Sequence, residues 1–219
     1  TYDDDDQGVN LSALSFPPYL QQGVSQTPFP KPLHSIYNPN PFPIPHFAPD
    51  GLRIGTSTVV RMETNYITHW VKYNLALGFD RIVVYDNDRS PTYAKLFREE
   101  GLACCVYELE FGKRLPREIR ESTDDAYKII VKHLKASDIP KGLSKQDAQL
   151  QDFQFHHMLI DGFTHAAVND IDEYIQLDEH RNIREFVKYT LTDEHGVIDK
   201  TCGSIHMPWS VHGDGGLYG

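Results

Sequence analysis

The stretch Leu77 to Asp88, LGFDRIVVYDND, decides the fold. Gly78 is a natural helix stop, because a residue without a Cβ enters the left-handed conformation that closes many helices. Arg81-Ile82-Val83-Val84-Tyr85 then reads as a strand. It is apolar almost throughout, as interior strands of a parallel sheet are when helices cover both faces. It ends in a polar turn, Asp86-Asn87-Asp88-Arg89-Ser90-Pro91. Upstream, residues 65–77 read as a helix with Tyr66, Ile67, Trp70, Val71, Tyr73 and Leu77 on its apolar faces, preceded by a buried strand over Thr58–Met62. Downstream, a short helix over Tyr93–Glu100 stops at Gly101, and a third strand runs from Leu102 to Leu109.

The same alternation continues to the end of the chain. Residues 117–136 read as a helix carrying Ile119, Ala126, Ile129, Ile130 and Leu134, broken by Pro140 and Gly142. Ser144-Lys145-Gln146-Asp147 forms a capping box, with Asp in place of the usual Glu, that opens a helix reaching Ile160. A strand over 164–169 and a helix over 182–191, with Ile183, Phe186, Val187 and Leu191 inward, come next. A strand-like segment from Gly196 to Ile205 and a glycine-rich end complete the chain. Alternating strands and helices joined by short links imply an α/β domain with a mostly parallel, doubly wound sheet over residues 51–219.

Residues 1–50 are of another kind. Ten of the 14 prolines fall between Pro17 and Pro49, in phrases such as TPFPKP and NPNPFPIPHFAP. Proline fixes φ and removes a backbone donor, so this region is expected to be an extended Pro-rich arm or linker rather than helix or sheet. Phe16, Tyr19, Phe29, Tyr37, Phe42 and Phe47 are interleaved with the prolines and favour partial packing on the domain.

The 219 residues suffice for one sizeable buried core. No apolar run approaches the roughly 20 residues that span a bilayer. A net charge of −10 argues against sequence-independent binding to nucleic acid. It also means that an anionic substrate would need a metal ion or a local cluster of donors. Three cysteines are too few for a disulfide scaffold, and the lack of a Cys-x-x-Cys spacing argues against a structural zinc site; Cys104 and Cys105, inside an apolar run, read as buried thiols.

Ligands of doubly wound sheets bind beyond the carboxyl ends of the strands. Three polar clusters are expected at such ends: Arg61-Met62-Glu63, Asp86-Asn87-Asp88 and Asp170-Ile171-Asp172. In an extended backbone Asp170 and Asp172 would project to one side, roughly 6.6 Å apart at about 3.3 Å per residue, and could share a hard cation. A solvated acidic turn is the alternative for that block, and an N-cap or turn aspartate is the alternative for Asp86. Glu63 could equally be the first-turn acid of the following helix. Trp70, Val71 and Tyr73 are most simply core. His156 and His157 are adjacent on a helix, about 100° apart around its axis, and so cannot both face one ion easily; a packed or hydrogen-bonded His157 under the sheet is expected.

Taken in order, four blocks resemble a known family. Arg61-Met62-Glu63, Ile67-x-x-Trp70-Val71-x-Tyr73, Leu77-Gly78-Phe79-Asp80 and Val84-Tyr85-Asp86-Asn87 look like the opening of the family 92-like glycosyltransferases, relatives of family 2 with a GT-A fold. Gln151-x-x-x-Phe155-His156-His157-Met158-Leu159 is similar to a later helix of that family. Asp170-Ile171-Asp172-Glu173-Tyr174-Ile175 resembles its Asp-Ile-Asp-Glu-Phe-Leu block, and Cys202-Gly203-Ser204 with His206 is a weaker echo of its Phe-Gly-Ser-x-Gly-His segment. The resemblance covers about residues 58–206. Met62 stands where the family has Asn, and Arg89-Ser90 where it has Ser-Thr. The chain stops at Gly219, before the elements that usually complete the acceptor side.

The resemblance implies a metal-dependent glycosyltransferase that moves a sugar from a nucleotide-sugar donor, with UDP the first expectation, to a glycan or glycoprotein hydroxyl, with inversion. Mn²⁺ or Mg²⁺ would be held by Asp172, with Asp170 on the ribose or on the metal through water. Arg61, Met62, Glu63, Asp86, Asn87 and Ile171 would line the donor, Asp86 accepting from the base. His206 and His212 are candidates for sugar or metal contacts. An inverting transfer needs a carboxylate to deprotonate the acceptor, for which Asp214 is the candidate. A non-catalytic nucleotide-sugar or glycan-binding module, a nucleotidyltransferase and a hydrolase are the competing readings. Two compartments are open: the cytoplasm, or the Golgi lumen if the Pro-rich segment is a stem.

Overall fold

A computed structural model describes residues 51–120, 127–177, 179–197, 199 and 205; the Pro-rich arm, His206, His212 and Asp214 lie outside them. The chain forms a five-stranded parallel sheet flanked by helices. In chain order the elements are β1 (Ile54–Val60), α1 (Ile67–Leu77), β2 (Arg81–Asp86), α2 (Tyr93–Phe97), β3 (Val106–Glu110), α3 (Arg117–Arg120), β4 (Ile129–His133), α4 (Lys145–Asp152), β5 (His165–Val168) and α5 (Ile183–Leu191). The spatial order is β3-β4-β2-β1-β5. β1 leads to β2 on one side while β5 lies on its other side, so the sheet has a topological switch point between β1 and β5.

β2 lies at the centre and all six of its residues are buried. Its alternate side chains feed two cores. Ile82 and Val84 meet Trp70 and Val71 of α1, Tyr93 and Phe97 of α2, and Ile183 and Val187 of α5. Val83 and Tyr85 meet Ile119 of α3, Ile130 of β4, and Phe153, where α4 continues in a wider π-type turn over Phe153–Ile160. Two apolar faces, each covered by helices, make the sheet doubly wound. Close approach of the second layer depends on Gly55, where a Cβ would meet the Phe163 ring at 3.0 Å. Gly78 closes α1 at φ 93°, its N–H and that of Phe79 returning to the carbonyls of Leu75 and Asn74.

Polar side chains lie beneath the second layer. Lys132 of β4 is fully buried and its Nζ is 2.5 Å from Asp152 Oδ2, which also accepts from the Tyr85 hydroxyl at 2.7 Å. The other oxygen of Asp152 accepts from the Gly112 N–H at 3.0 Å. Closer to the amino ends of the strands, Asp161 accepts from Arg81 at 3.2 Å and from His157 Nδ1 at 2.8 Å.

Several sequence expectations are corrected. β1 begins at Ile54 and ends at Val60, so Arg61 and Met62 are exposed bend residues beyond the strand. The polar Thr56-Ser57 pair hides the first half of this strand, although both residues are buried against its neighbours. Ala103–Cys105 forms a 3₁₀ turn, and β3 starts only at Val106. Of the helix expected over 117–136, the described residues show helix over Arg117–Arg120, and Ile129–His133 is instead a strand, β4. Ile119, Ile129 and Ile130 fit a helical spacing, but Ile129-Ile130-Val131 is a β-branched run that inserts between β2 and β3. Beyond α5, residues 193–197 form a tight turn, with the Val197 N–H on Asp193 Oδ1 at 2.8 Å; most of the strand-like segment expected over 196–205 lies outside the described residues.

Candidate functional site at the carboxyl edge of the sheet

Because all strands run parallel, the three polar clusters share one edge. Backbone bonds cross between them: the Asn87 N–H donates to the Val60 carbonyl at 2.9 Å and the Asn169 N–H to the Ser57 carbonyl at 3.2 Å. The Met62 N–H reaches Asp88 Oδ1 at 2.8 Å, and the Glu63 N–H reaches the Tyr93 hydroxyl at 3.0 Å. Burial and the nearby Asp88 and Asp86 charges push the Tyr93 phenol up to about 12, so it stays neutral at this edge. Met62 adopts φ 60° while its side chain is 80% exposed, a left-handed conformation uncommon for a residue with a long side chain.

Asp86 is 1% exposed and committed to its own turn. Oδ1 accepts from the Asp88 N–H at 3.0 Å, and Oδ2 from the N–H groups of Thr92 and Tyr93 at 2.7 and 3.2 Å. Asp86 thus satisfies orphan donors at the start of α2 and shapes the loop that presents Asn87 and Asp88. The turn-aspartate reading describes its surroundings, and they leave no exposed face for a nucleobase.

The acidic block is a turn, not an extended strand end. β5 stops at Val168, the Glu173 N–H donates to the Asp170 carbonyl at 3.0 Å, and the Asp170 N–H donates to Glu173 Oε2 at 3.1 Å. The geometry that would project Asp170 and Asp172 together is therefore replaced by a closed turn in which Asp170 faces a cleft and Asp172 is exposed outside its lining. Ile171 packs on the core below. The following residues are fastened to α1, through Trp70 Nε1 to the Glu173 carbonyl at 3.2 Å and the Tyr73 hydroxyl to the Ile175 carbonyl at 2.6 Å. Trp70 and Val71 are core, as read from sequence, while Tyr73 is half-buried and serves as a clasp.

Two open clefts meet at Gln146, the second residue of α4. One, of about 250 Å³, lies over the end of β5 and is lined by Asp147, Gln149, Leu150, Val168, Asn169, Asp170 and Glu173 as well as Gln146. The other, of about 290 Å³, lies over the ends of β1 and β2, between Val59, Val60, Arg61, Asn87, Ser144, Lys145 and Gln146. One cleft is thus acidic and the other carries two cationic side chains. Gln149 ties α4 to β1 through Ser57 Oγ at 3.0 Å. The capping box is formed as the sequence suggested, with Ser144 Oγ accepting from the Asp147 N–H at 3.0 Å. Lys145, Gln146 and Asn169 were missed as site residues. The capping box marked where α4 starts, but only the packing of α4 over β1 turns that start toward the edge.

The histidine pair lies elsewhere. His157 is fully buried on Asp161, as expected, and burial lowers its pKa. His156, 3.6 Å from Asp152, is held down at about 4, chiefly by burial and then by the Lys132 charge. Neither lines a cleft.

As a metal set, the edge is partial. Asp170, Glu173, Asn169 and Gln146 offer hard oxygen donors suited to Mn²⁺ or Mg²⁺. Among the described residues no group of three or more His, Cys, Asp or Glu side chains is placed to hold an ion by itself. An ion here would need phosphate oxygens or water to complete its shell. Among the described residues no helix is long and apolar enough to cross a membrane. Comparison of the chain with protein-family models, with curated proteins and with solved structures gave no match.

Proposed function

We propose that the chain is a GT-A glycosyltransferase domain that transfers a sugar, with inversion, from a nucleotide diphosphate donor such as a UDP-sugar to a hydroxyl of a glycan or glycoprotein. The observation that carries the reading is the pair of clefts meeting at Gln146 over the carboxyl ends of β2, β1 and β5, one with Arg61 and Lys145, the other with Asp170 and Glu173. A parallel sheet binds ligands at such an edge, beside its switch point. In this reading the nucleotide occupies the cleft of Arg61, Asn87 and Lys145. The diphosphate then bridges toward Asp170, and the sugar lies beyond Val168.

Arg61 and Lys145 would neutralise phosphate charge as the bond to the anomeric carbon breaks and negative charge moves onto the leaving diphosphate. Asp170, with Asn169 and Gln146, would hold Mn²⁺ or Mg²⁺, which as a Lewis acid stabilises that same charge. Asp172 would add a second carboxylate only by rearrangement of the 170–173 turn. The proton of the acceptor hydroxyl needs a carboxylate base. Asp214, with His206 and His212 over the sugar, stays the candidate from the resemblance.

Thermal-shift and calorimetric titration of the whole chain with a panel of UDP-, GDP- and ADP-sugars, with and without Mn²⁺, tests the reading. A rise in melting temperature for one nucleotide class that needs the metal supports it, since a ligand bound only by the native state stabilises that state. No metal-dependent shift with any nucleotide-sugar refutes it. Binding without donor turnover would move the assignment to a binding module.

A further inference from the structure

Cys104 and Cys105 do not behave as the buried thiols their apolar setting suggests. Cys104 is exposed, Cys105 is half-buried, and their Sγ atoms lie 2.9 Å apart in the 3₁₀ turn Ala103–Cys105. This turn lies between Gly101, at φ 84°, and Val106, the first residue of the edge strand β3. It is remote from the two clefts, whose linings contain no residue between 88 and 143.

We propose that Cys104 and Cys105 form a redox-active vicinal dithiol, which small disulfides convert reversibly into an eight-membered disulfide ring. Two observations carry this. The sulfurs already approach to 2.9 Å, within about 1 Å of the roughly 2.05 Å of a disulfide bond. Solvent reaches Cys104, so an oxidant can engage it first.

The chemistry balances. The Cys104 thiolate attacks one sulfur of a small disulfide, forming a mixed disulfide and expelling one thiolate. The Cys105 thiolate then attacks Cys104 Sγ and expels the second. Two cysteine thiols lose two electrons and two protons, and the small disulfide becomes two thiols. Adjacent residues hold their Cα atoms about 3.8 Å apart, closer than the roughly 4.4–6.8 Å of ordinary disulfides, so the ring is strained and reopens readily under thiol reductants. Closing it would also pull on Cys105 and Leu102, which pack against the apolar core at the root of β3.

The test uses the full chain, both as it stands and as Cys202→Ser, titrated with oxidised glutathione, quenched in acid, alkylated and digested with trypsin. The peptide Glu99–Lys113 contains both cysteines and is read by mass. The expected result is that this peptide becomes two hydrogens lighter and resists alkylation in both proteins, reverts with dithiothreitol, and is absent from Cys104→Ser. A peptide that stays doubly alkylated, a glutathione adduct that never resolves, a Cys104–Cys202 link, or dimers joined through Cys104 would each overturn the proposal.

Discussion

Replacing Asp152 by Asn should be among the most damaging conservative substitutions in the domain. Lys132 is fully buried and its Nζ has Asp152 Oδ2 at 2.5 Å as counter-charge. The same oxygen accepts from Tyr85, and the other accepts from the Gly112 N–H. An asparagine must therefore turn its NH₂ either toward Lys132 and Tyr85 or toward Gly112, donor against donor in both cases, while the ammonium loses its partner. Breaking a buried pair by removing one member costs about 3–5 kcal/mol, a large part of the roughly 5–15 kcal/mol that holds a domain folded. At about 2–4 °C per kcal/mol for a domain of this size, the melting temperature should fall by roughly 6–20 °C. Lys132→Met in the Asp152→Asn background removes the stranded charge and lets the amide donate to the Tyr85 oxygen while accepting from Gly112. The double variant should recover at least about 2 kcal/mol of the loss. Urea unfolding followed by circular dichroism, with slopes compared as well as midpoints, measures both. A single variant within about 1 kcal/mol of the parent, or two losses that simply add, would refute the account.

Acid should weaken the fold through the histidine pair. His156, held at about 4, and His157, also lowered, stay neutral when folded but take up protons in the unfolded chain below about 6.5. Stability is therefore complete above that value and is lost as pH falls toward 4; His156 alone accounts for about 2 kcal/mol at pH 5, and a urea midpoint equal at pH 7 and pH 5 would contradict this. Met62, exposed at φ 60°, should gain from replacement: Met62→Gly or Met62→Asn is expected to raise the melting temperature by roughly 2–4 °C, corresponding to about 1 kcal/mol of relieved left-handed strain, whereas a decrease would show that the side chain is needed. For the proposed donor site, Asp170→Ala should weaken Mn²⁺-dependent UDP-sugar binding at least tenfold, about 1.4 kcal/mol, and more than Asp172→Ala does. Calorimetry that ranks Asp172 first would mean that the 170–173 turn opens on binding.

Much of the fold was legible because the residues concerned obey strong local rules. Ile82-Val83-Val84-Tyr85 has the unbroken apolar run of a strand covered on both faces, and it is the sheet's centre. Gly78 stops α1, the Ser144–Asp147 box starts α4, and of the four inward residues named for α5, Ile183, Val187 and Leu191 are buried while Phe186 is half-buried against the same core. β4 was not legible. Ile129-Ile130-Val131 is β-branched, as strands favour, but it had a helix-compatible apolar neighbour in Ile119, and no local feature places it between β2 and β3. Asp86 shows the same limit from the side of function. An aspartate at a strand end can face a ligand or its own loop, and here the N–H groups of Asp88, Thr92 and Tyr93 hold it.

The sequence by itself determined the class of the fold, the parallel sense of its sheet, and the three polar clusters at its strand ends, because periodicity, capping and turn chemistry are local. Only the tertiary structure decided the order β3-β4-β2-β1-β5, the burial of Lys132 against Asp152, and which acidic residue faces a cleft. Asp170 lines the cleft while Asp172 does not, because the 170–173 turn closes on itself and is anchored to α1 through Trp70 and Tyr73. That anchoring joins residues about a hundred positions apart, and side-chain directions set by such long-range contacts are not encoded in any short stretch of chain.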